Sequence, residues 1–165
     1  MIEMIGTKIV LMTPMTRAQY NEYRGWELPG DEDGNDEGYL VEYPASPKPN
    51  HPAHAGYISW SPKAEADAAY QNPREGMTFG HAIEFAKRGY RIARRGWNGK
   101  GMFLILVPGR DNVRLQEGSP YAAHTESTHT DILPHIGMWT ADKKWLSGWL
   151  ASQSDMLAED WVLVE

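Results

Sequence analysis

Apolar positions are spaced differently on the two sides of residue 75 or so. Before it they come in short runs parted by polar, Pro- and Gly-rich connections. "TKIVLM" (7–12), "GYLVEY" (38–43) and "GYISWS" (56–61) are rich in β-branched and aromatic residues, which fit a pleated, half-buried surface, and they predict strands. "TRAQYNEYRGW" predicts a short helix capped by Thr16. "SPKAEADAAY" predicts another, with Ser61 as cap and Pro62 at the first helical position. "PGDEDGNDEG" and "PASPKPNHPAHAG" are the connecting loops. The acids of the first raise the question of a calcium site. The acids do not make an EF-hand motif on their own, so a solvated acidic loop is the plainer reading.

A seam lies at "YQNPREGMTFG", where Pro73 and Gly76 interrupt the pattern. Beyond it Phe79, Ala82, Ile83 and Ala86 follow the i, i+3, i+4, i+7 spacing of an amphipathic helix. Thr78 caps it, Lys87 and Arg88 lie in its last turn, and Gly89 ends it. "YRIARRGW" reads as a strand. "MFLILV" shows no alternation, which predicts a central strand covered on both faces. "HIGMWT" and "KWLSGWL" form a hairpin across "ADKK", "ASQSDMLAED" a serine-capped helical turn, and "WVLV" a last strand. The fold class is therefore α+β. An N-terminal helix packs on an antiparallel sheet over residues 77–165, behind a small β-rich module at residues 1–73.

Composition narrows the function. Hydrophobic residues make up 41% of the 165 positions and charged ones 23%, enough for a core. The chain has no cysteine, which excludes disulfides, thiolate nucleophiles and cysteine-based metal sites. It has no long apolar run, and "MIEMIGTKIV" carries an acid and too short an apolar stretch for a signal peptide, so the cytoplasm is the expected location. A net charge of −6 argues against DNA binding. The charge is uneven, however. Residues 1–75 hold 12 acids and 6 bases, whereas between Glu84 and Asp111 there are seven bases and no acid. Such a local field suits a small anionic ligand, or simply a solvated basic face.

That basic stretch contains "RRGWNGKGMFLILVPG". Its glycines lack P-loop spacing and lead into a strand rather than a helix, so no helix N-terminus backs a phosphate. Glycines still let backbone amides approach an anion, Trp97 offers a flat face to a base, Asn98 an amide, and Arg94 or Arg95 a phosphate partner. On spacing alone a strand-connecting turn with a core tryptophan is the commoner reading. His124, His129, Asp131 and His135 carry ordinary metal-ligand chemistry, but their segment is polar and reads as a long loop or lid without helical ligand spacing. Ser152 and Ser154 lack a nucleophile elbow. Glu159 and Asp160 point different ways on any regular element. No constellation amounts to an enzyme.

With these residues in view, "MTFGHAIEFAKRGYRIARRGWNGKGMFLILVPG" and "LPHIGMWTADKKWLSGWLASQSDMLAEDWVLV" resemble the phage Thoeris anti-defence 2 family, in fixed order across residues 77–165. The resemblance implies a non-enzymatic sponge without cofactor, catalytic residue or metal, acting in the infected bacterial host. Its ligand is a cyclic ADP-ribose isomer made by Thoeris TIR proteins. Some relatives hold cyclic di- or trinucleotides of CBASS in a second pocket, and members assemble as homotetramers. Carried over residue by residue, Trp97 stacks and Asn98 hydrogen-bonds, while Ser152, Gln153 and Asp155 are further polar contacts. Phe79 and Arg94 complete the candidate site. The N-terminal module and the "NVRLQEGSPYAAHTESTHTDILPH" stretch read as departures from the family. Two other readings stay open: an enzyme degrading such signals through a metal on His124, His129 and Asp131, and a structural or interaction module of a phage.

Overall fold

The computed structural model describes all residues except Asn98 and Lys100. The molecule is a mixed α+β protein whose strands all pair antiparallel. It divides into two compact units, Met1–Gln71 and Asn72–Glu165.

In the first unit, β1 (Leu11–Pro14), β2 (Gly38–Tyr43) and β3 (Tyr57–Pro62) form a sheet in that order, with α1 (Arg17–Arg24) and α2 (Lys63–Ala69). Thr16 caps α1 in a reciprocal box with Gln19, and Gly25 closes it in the left-handed region at φ 67°. Side chains alternate across the sheet. Leu40 and Ile58 therefore meet Tyr20 of α1, while fully buried Val41 points to the opposite face. Helix α2 packs on β2 and β3 and buries Ala66.

Two expectations are corrected here. The first strand is not residues 7–12: it pairs with β2 only from Leu11, opposite Glu42, to Pro14, opposite Tyr39. Ser61 is not a helix cap: it belongs to β3, paired with Tyr39, and α2 starts after Pro62 without a side-chain cap. The outer edge of β3 is closed by Asn50, whose amide accepts from Ile58 N–H at 2.8 Å and donates to Ile58 C=O at 2.9 Å. A side chain thus stands where another strand's backbone would pair.

In the second unit, α3 (Phe79–Lys87) is capped by Thr78. The five-stranded sheet runs β10 (Trp161–Val164), β4 (Arg91–Arg94), β5 (Phe103–Val107), β8 (His135–Trp139), β9 (Trp145–Ser147). Met77 bridges to Trp161 beside the β10 edge. Ala82 and Ala86 of α3 pack with Met77, Ile92, Leu104, Met138 and Trp161 into the core. Strand β5 is central, as its unbroken apolar run predicts, but it is not sealed on both faces: Leu106 packs against the core only partly buried. Leu104 is buried, whereas Phe103, Ile105 and Val107 on the other face are half-buried. There Phe103, Trp139 and Trp145 pack ring against ring, with the Arg91 guanidinium 5.1 Å from the Phe103 centroid.

The stretch expected as a long loop is a ribbon. Strands β6 (Arg110–Arg114) and β7 (His129–Ile132) pair through Arg110↔Ile132, Val113↔Thr130 and Arg114↔His129, around a short helix α4 (Pro120–Ala123) capped by Ser119. A bulge at Asn112, in the left-handed region at φ 54°, is held by its N–H donating to Asp131 Oδ1 at 2.8 Å. Polar and charged residues on both strands leave no apolar alternation to read, so the pairing is invisible in the sequence.

Candidate functional site

Three structural decisions bring the candidate residues together. Pairing of β4 with β10 sets Arg94 opposite Trp161. The turn after β4 folds back at Gly96 and Trp97. Between β9 and β10, the short helix α5 (Gln153–Met156) starts at Ser152, whose hydroxyl accepts from the Asp155 N–H.

Arg94 is the hub. Its Nε donates to Asp160 Oδ1 at 2.8 Å and its Nη1 to Asp155 Oδ1 at 2.9 Å, and its side chain is 20% exposed. These bonds, Asp160's first, raise the guanidinium above its ordinary value. Asp155 is filled. One oxygen accepts from Arg94 and, at 3.4 Å, from Trp97 Nε1; the other accepts from Ser152 N–H at 3.2 Å and Ser152 Oγ at 2.6 Å. Four bonds are about all a carboxylate takes. Burial pushes this carboxyl up, but the bonds from Ser152, Arg94 and Trp97 outweigh it and hold it at about 2. Asp160 is held below the ordinary range by Arg94, against burial, with help from the Gly96 N–H at 2.8 Å.

The role of the first glycine follows. A Cβ on Gly96 would sit 2.8 Å from Asp160 Oδ2, so glycine is what lets this backbone close on an anion. That anion is the protein's own carboxylate. Two carboxylates against one guanidinium leave the trio at a net −1, so Arg94 stands in an ion-pair lock rather than as an open phosphate cradle.

Trp97 does not stand clear of the turn. Its ring meets Trp161 edge-on at 5.6 Å and Trp149 at 6.1 Å, while Phe79 lies 5.2 Å from Trp161 and 6.4 Å from Trp149. The indole of Trp161 donates to Asp155 C=O at 2.9 Å, fastening the aromatic group to α5. Trp97 and Phe79 remain partly buried rather than sealed. Of the residues expected to form a site, Phe79, Arg94, Trp97, Ser152 and Asp155 therefore share one network. Gln153 is exposed on α5. Asn98 lies outside the described residues. Trp149, Trp161 and Asp160 were missed as members. Their types are ordinary core and surface types, and only the fold brings Asp160 to an arginine 66 residues away.

Among the described residues, no group of three or more histidines and acids is placed to hold a metal. His129, Asp131 and His135 engage Thr128, the Asn112 N–H and Leu133 C=O respectively. No helix is long and apolar enough to cross a membrane, among the residues described.

The family model for the Thoeris anti-defense 2-like domain matches residues 77–164. A protein of Bacillus phage SP01, "Thoeris anti-defense 2", is 40% identical over 89 residues, covering 53% of this chain and 94% of that protein. The β6–β7 ribbon lies inside the matched stretch, and the first unit lies outside it. Helix, glycine turn, central strand and capped α5 all fall within this match, and the chain belongs to the Thoeris anti-defense 2-like family.

Proposed function

We propose that this chain is a phage anti-Thoeris sponge. It binds cyclic ADP-ribose isomers made by Thoeris TIR proteins and withholds them from their receptor, without chemistry, as a homotetramer in the cytoplasm of the infected host. Family membership supports the anti-Thoeris role. The observation that carries the ligand reading is convergence: Phe79, Arg94, Trp97, Ser152 and Asp155, spread over 76 residues, meet in one partly open aromatic and polar network. Trp97 supplies the stacking face for adenine. Asn98, next to it in the sequence, reads the base or ribose, and Gln153 adds a polar contact.

Tight retention calls for many contacts at once: a nanomolar dissociation constant is about −12 kcal/mol. A pocket shared between protomers supplies more of them than one chain can. The half-covered Phe103, Trp139 and Trp145 face, with Trp145 55% exposed, favours such assembly. On this reading residues 77–165 form the ligand-binding domain.

Calorimetry against a panel of cyclic ADP-ribose isomers and cyclic di- and trinucleotides tests the proposal. Heat denaturation of the loaded protein should return the ligand intact, and Trp97→Ala should lower affinity at least a hundredfold with the oligomer preserved. Degraded ligand would establish an enzyme instead. Failure of every isomer to bind would leave an interaction module.

A further inference from the structure

The first unit, outside the family match, holds a side-chain cluster that the sponge reading does not use. Glu42 comes from β2, His54 from the connection between β2 and β3, and Tyr23 from the last turn of α1. Alternation along β2 places Glu42 on the same face as Leu40, the face that α1 covers. Its carboxylate is tied at both oxygens: Oε1 accepts from the Gly56 N–H at 3.0 Å and Oε2 meets His54 Nδ1 at 2.7 Å. These bonds, His54's first, hold Glu42 below the ordinary carboxylate range, so it is ionised and only accepts. His54 Nδ1 therefore donates to Glu42 Oε2, which fixes the tautomer from which the ring can act as a base. The lone pair on Nε2 faces the Tyr23 hydroxyl at 2.8 Å. His51 stacks on the Tyr23 ring at 4.7 Å and lies 5.4 Å from His54.

Base and carboxylate are mostly buried, with side chains 16% and 13% exposed, while Tyr23 is 39% exposed. An accessible hydroxyl, a base within hydrogen-bond reach and a third group orienting that base are the three parts of an activated nucleophile. We propose that Glu42, His54 and Tyr23 form a general-base relay that makes the Tyr23 phenol an acceptor for acyl groups from activated esters. The phenolic oxygen attacks the acyl carbon and its proton passes to His54 Nε2, whose imidazolium Glu42 stabilises. The tetrahedral adduct then collapses, the bond to the leaving alcohol breaks, and His54 returns its proton to that alcohol. The products are an acyl-tyrosine and a free alcohol. A phosphoryl acceptor draws on cations arrayed round the transferred group; two imidazoles suit proton transfer at an acyl centre better.

The competing account is a clamp that only pins the proline-rich connection to α1. It predicts the opposite reactivity order, because Tyr57, Tyr90 and Tyr121 are all more exposed than Tyr23, at 46%, 51% and 73%. Full-length protein is treated with p-nitrophenyl acetate near neutral pH and acetylation of each tyrosine is followed by peptide mass spectrometry. The relay predicts Tyr23 acetylated at least tenfold faster than those three, with His54→Gln and Glu42→Gln bringing it down to their rate. Tyr23 reacting no faster than the exposed tyrosines overturns the proposal, and so does a fast rate that survives both substitutions. The comparison among tyrosines is made within the wild-type protein, so it decides even if His54→Gln fails to fold.

Discussion

Asp155→Asn removes one charge from the Arg94 lock while keeping the side chain's shape. The wild-type carboxylate takes four hydrogen bonds, two from Ser152 and one each from Arg94 and Trp97. The amide keeps one acceptor oxygen and turns an NH2 toward groups that themselves donate. In the folded protein this carboxyl sits at about 2 against an ordinary 3.8, and its side chain is 14% exposed, so solvent screens it little. At roughly 1.4 kcal/mol per pH unit the difference contributes roughly 2–3 kcal/mol at neutral pH. The sign follows from a depressed folded value: the contribution is complete above the unfolded value near 4 and is lost as pH falls through about 2. For a unit of roughly 90 residues, each kcal/mol moves the melting temperature by about 4–8 °C, so the variant should melt about 10–20 °C lower at pH 7. Scanning calorimetry from pH 7 to pH 2 measures both. The asparagine variant should also lose less stability than wild type between pH 4 and pH 2. A drop under about 3 °C at pH 7, or an acid profile parallel to wild type, refutes the reasoning.

Asn50→Ala strips both hydrogen bonds from Ile58 and reopens the β3 edge. It should cost about 1–3 kcal/mol in urea denaturation and promote concentration-dependent association; an unchanged midpoint counts against edge closure. Gly25→Ala should cost about 1 kcal/mol for the left-handed φ of 67° alone, since an added Cβ would meet nothing within 4 Å. A larger loss would mean that the space is not open. If the chain is a sponge as proposed, chelation with EDTA should leave its capture of a cyclic ADP-ribose isomer unchanged, and loss of capture would point to a metal on the histidine-rich stretch.

Local chemistry made much of the second unit legible beforehand. Thr78 and Ser152 could be read as caps because each needs only a backbone N–H three residues on. The motif order of residues 77–164 was enough to bring out the family. Of the candidate network, Phe79, Arg94, Trp97, Ser152 and Asp155 could be picked out by type, but not what they do to one another. An arginine in a basic stretch is read as open to a phosphate, since no acid lies between Glu84 and Asp111 around Arg94. Its two carboxylates come from 61 and 66 residues away. The same holds for Ser61, a sound cap by type that the β2 register keeps in a strand.

The sequence by itself determined the Thr16, Thr78 and Ser152 caps, the existence of most strands outside the β6–β7 ribbon, the central place of β5 and the family, because each rests on groups adjacent in the chain or on a local hydrophobic pattern. Only the tertiary structure decided the Arg94 lock, the β6–β7 ribbon, the half-covered aromatic face and the Glu42–His54–Tyr23 chain. Pair register and loop return set those contacts. Closing a longer loop costs only slowly more with length, so sequence distance carries almost no information about which acid a given arginine will meet.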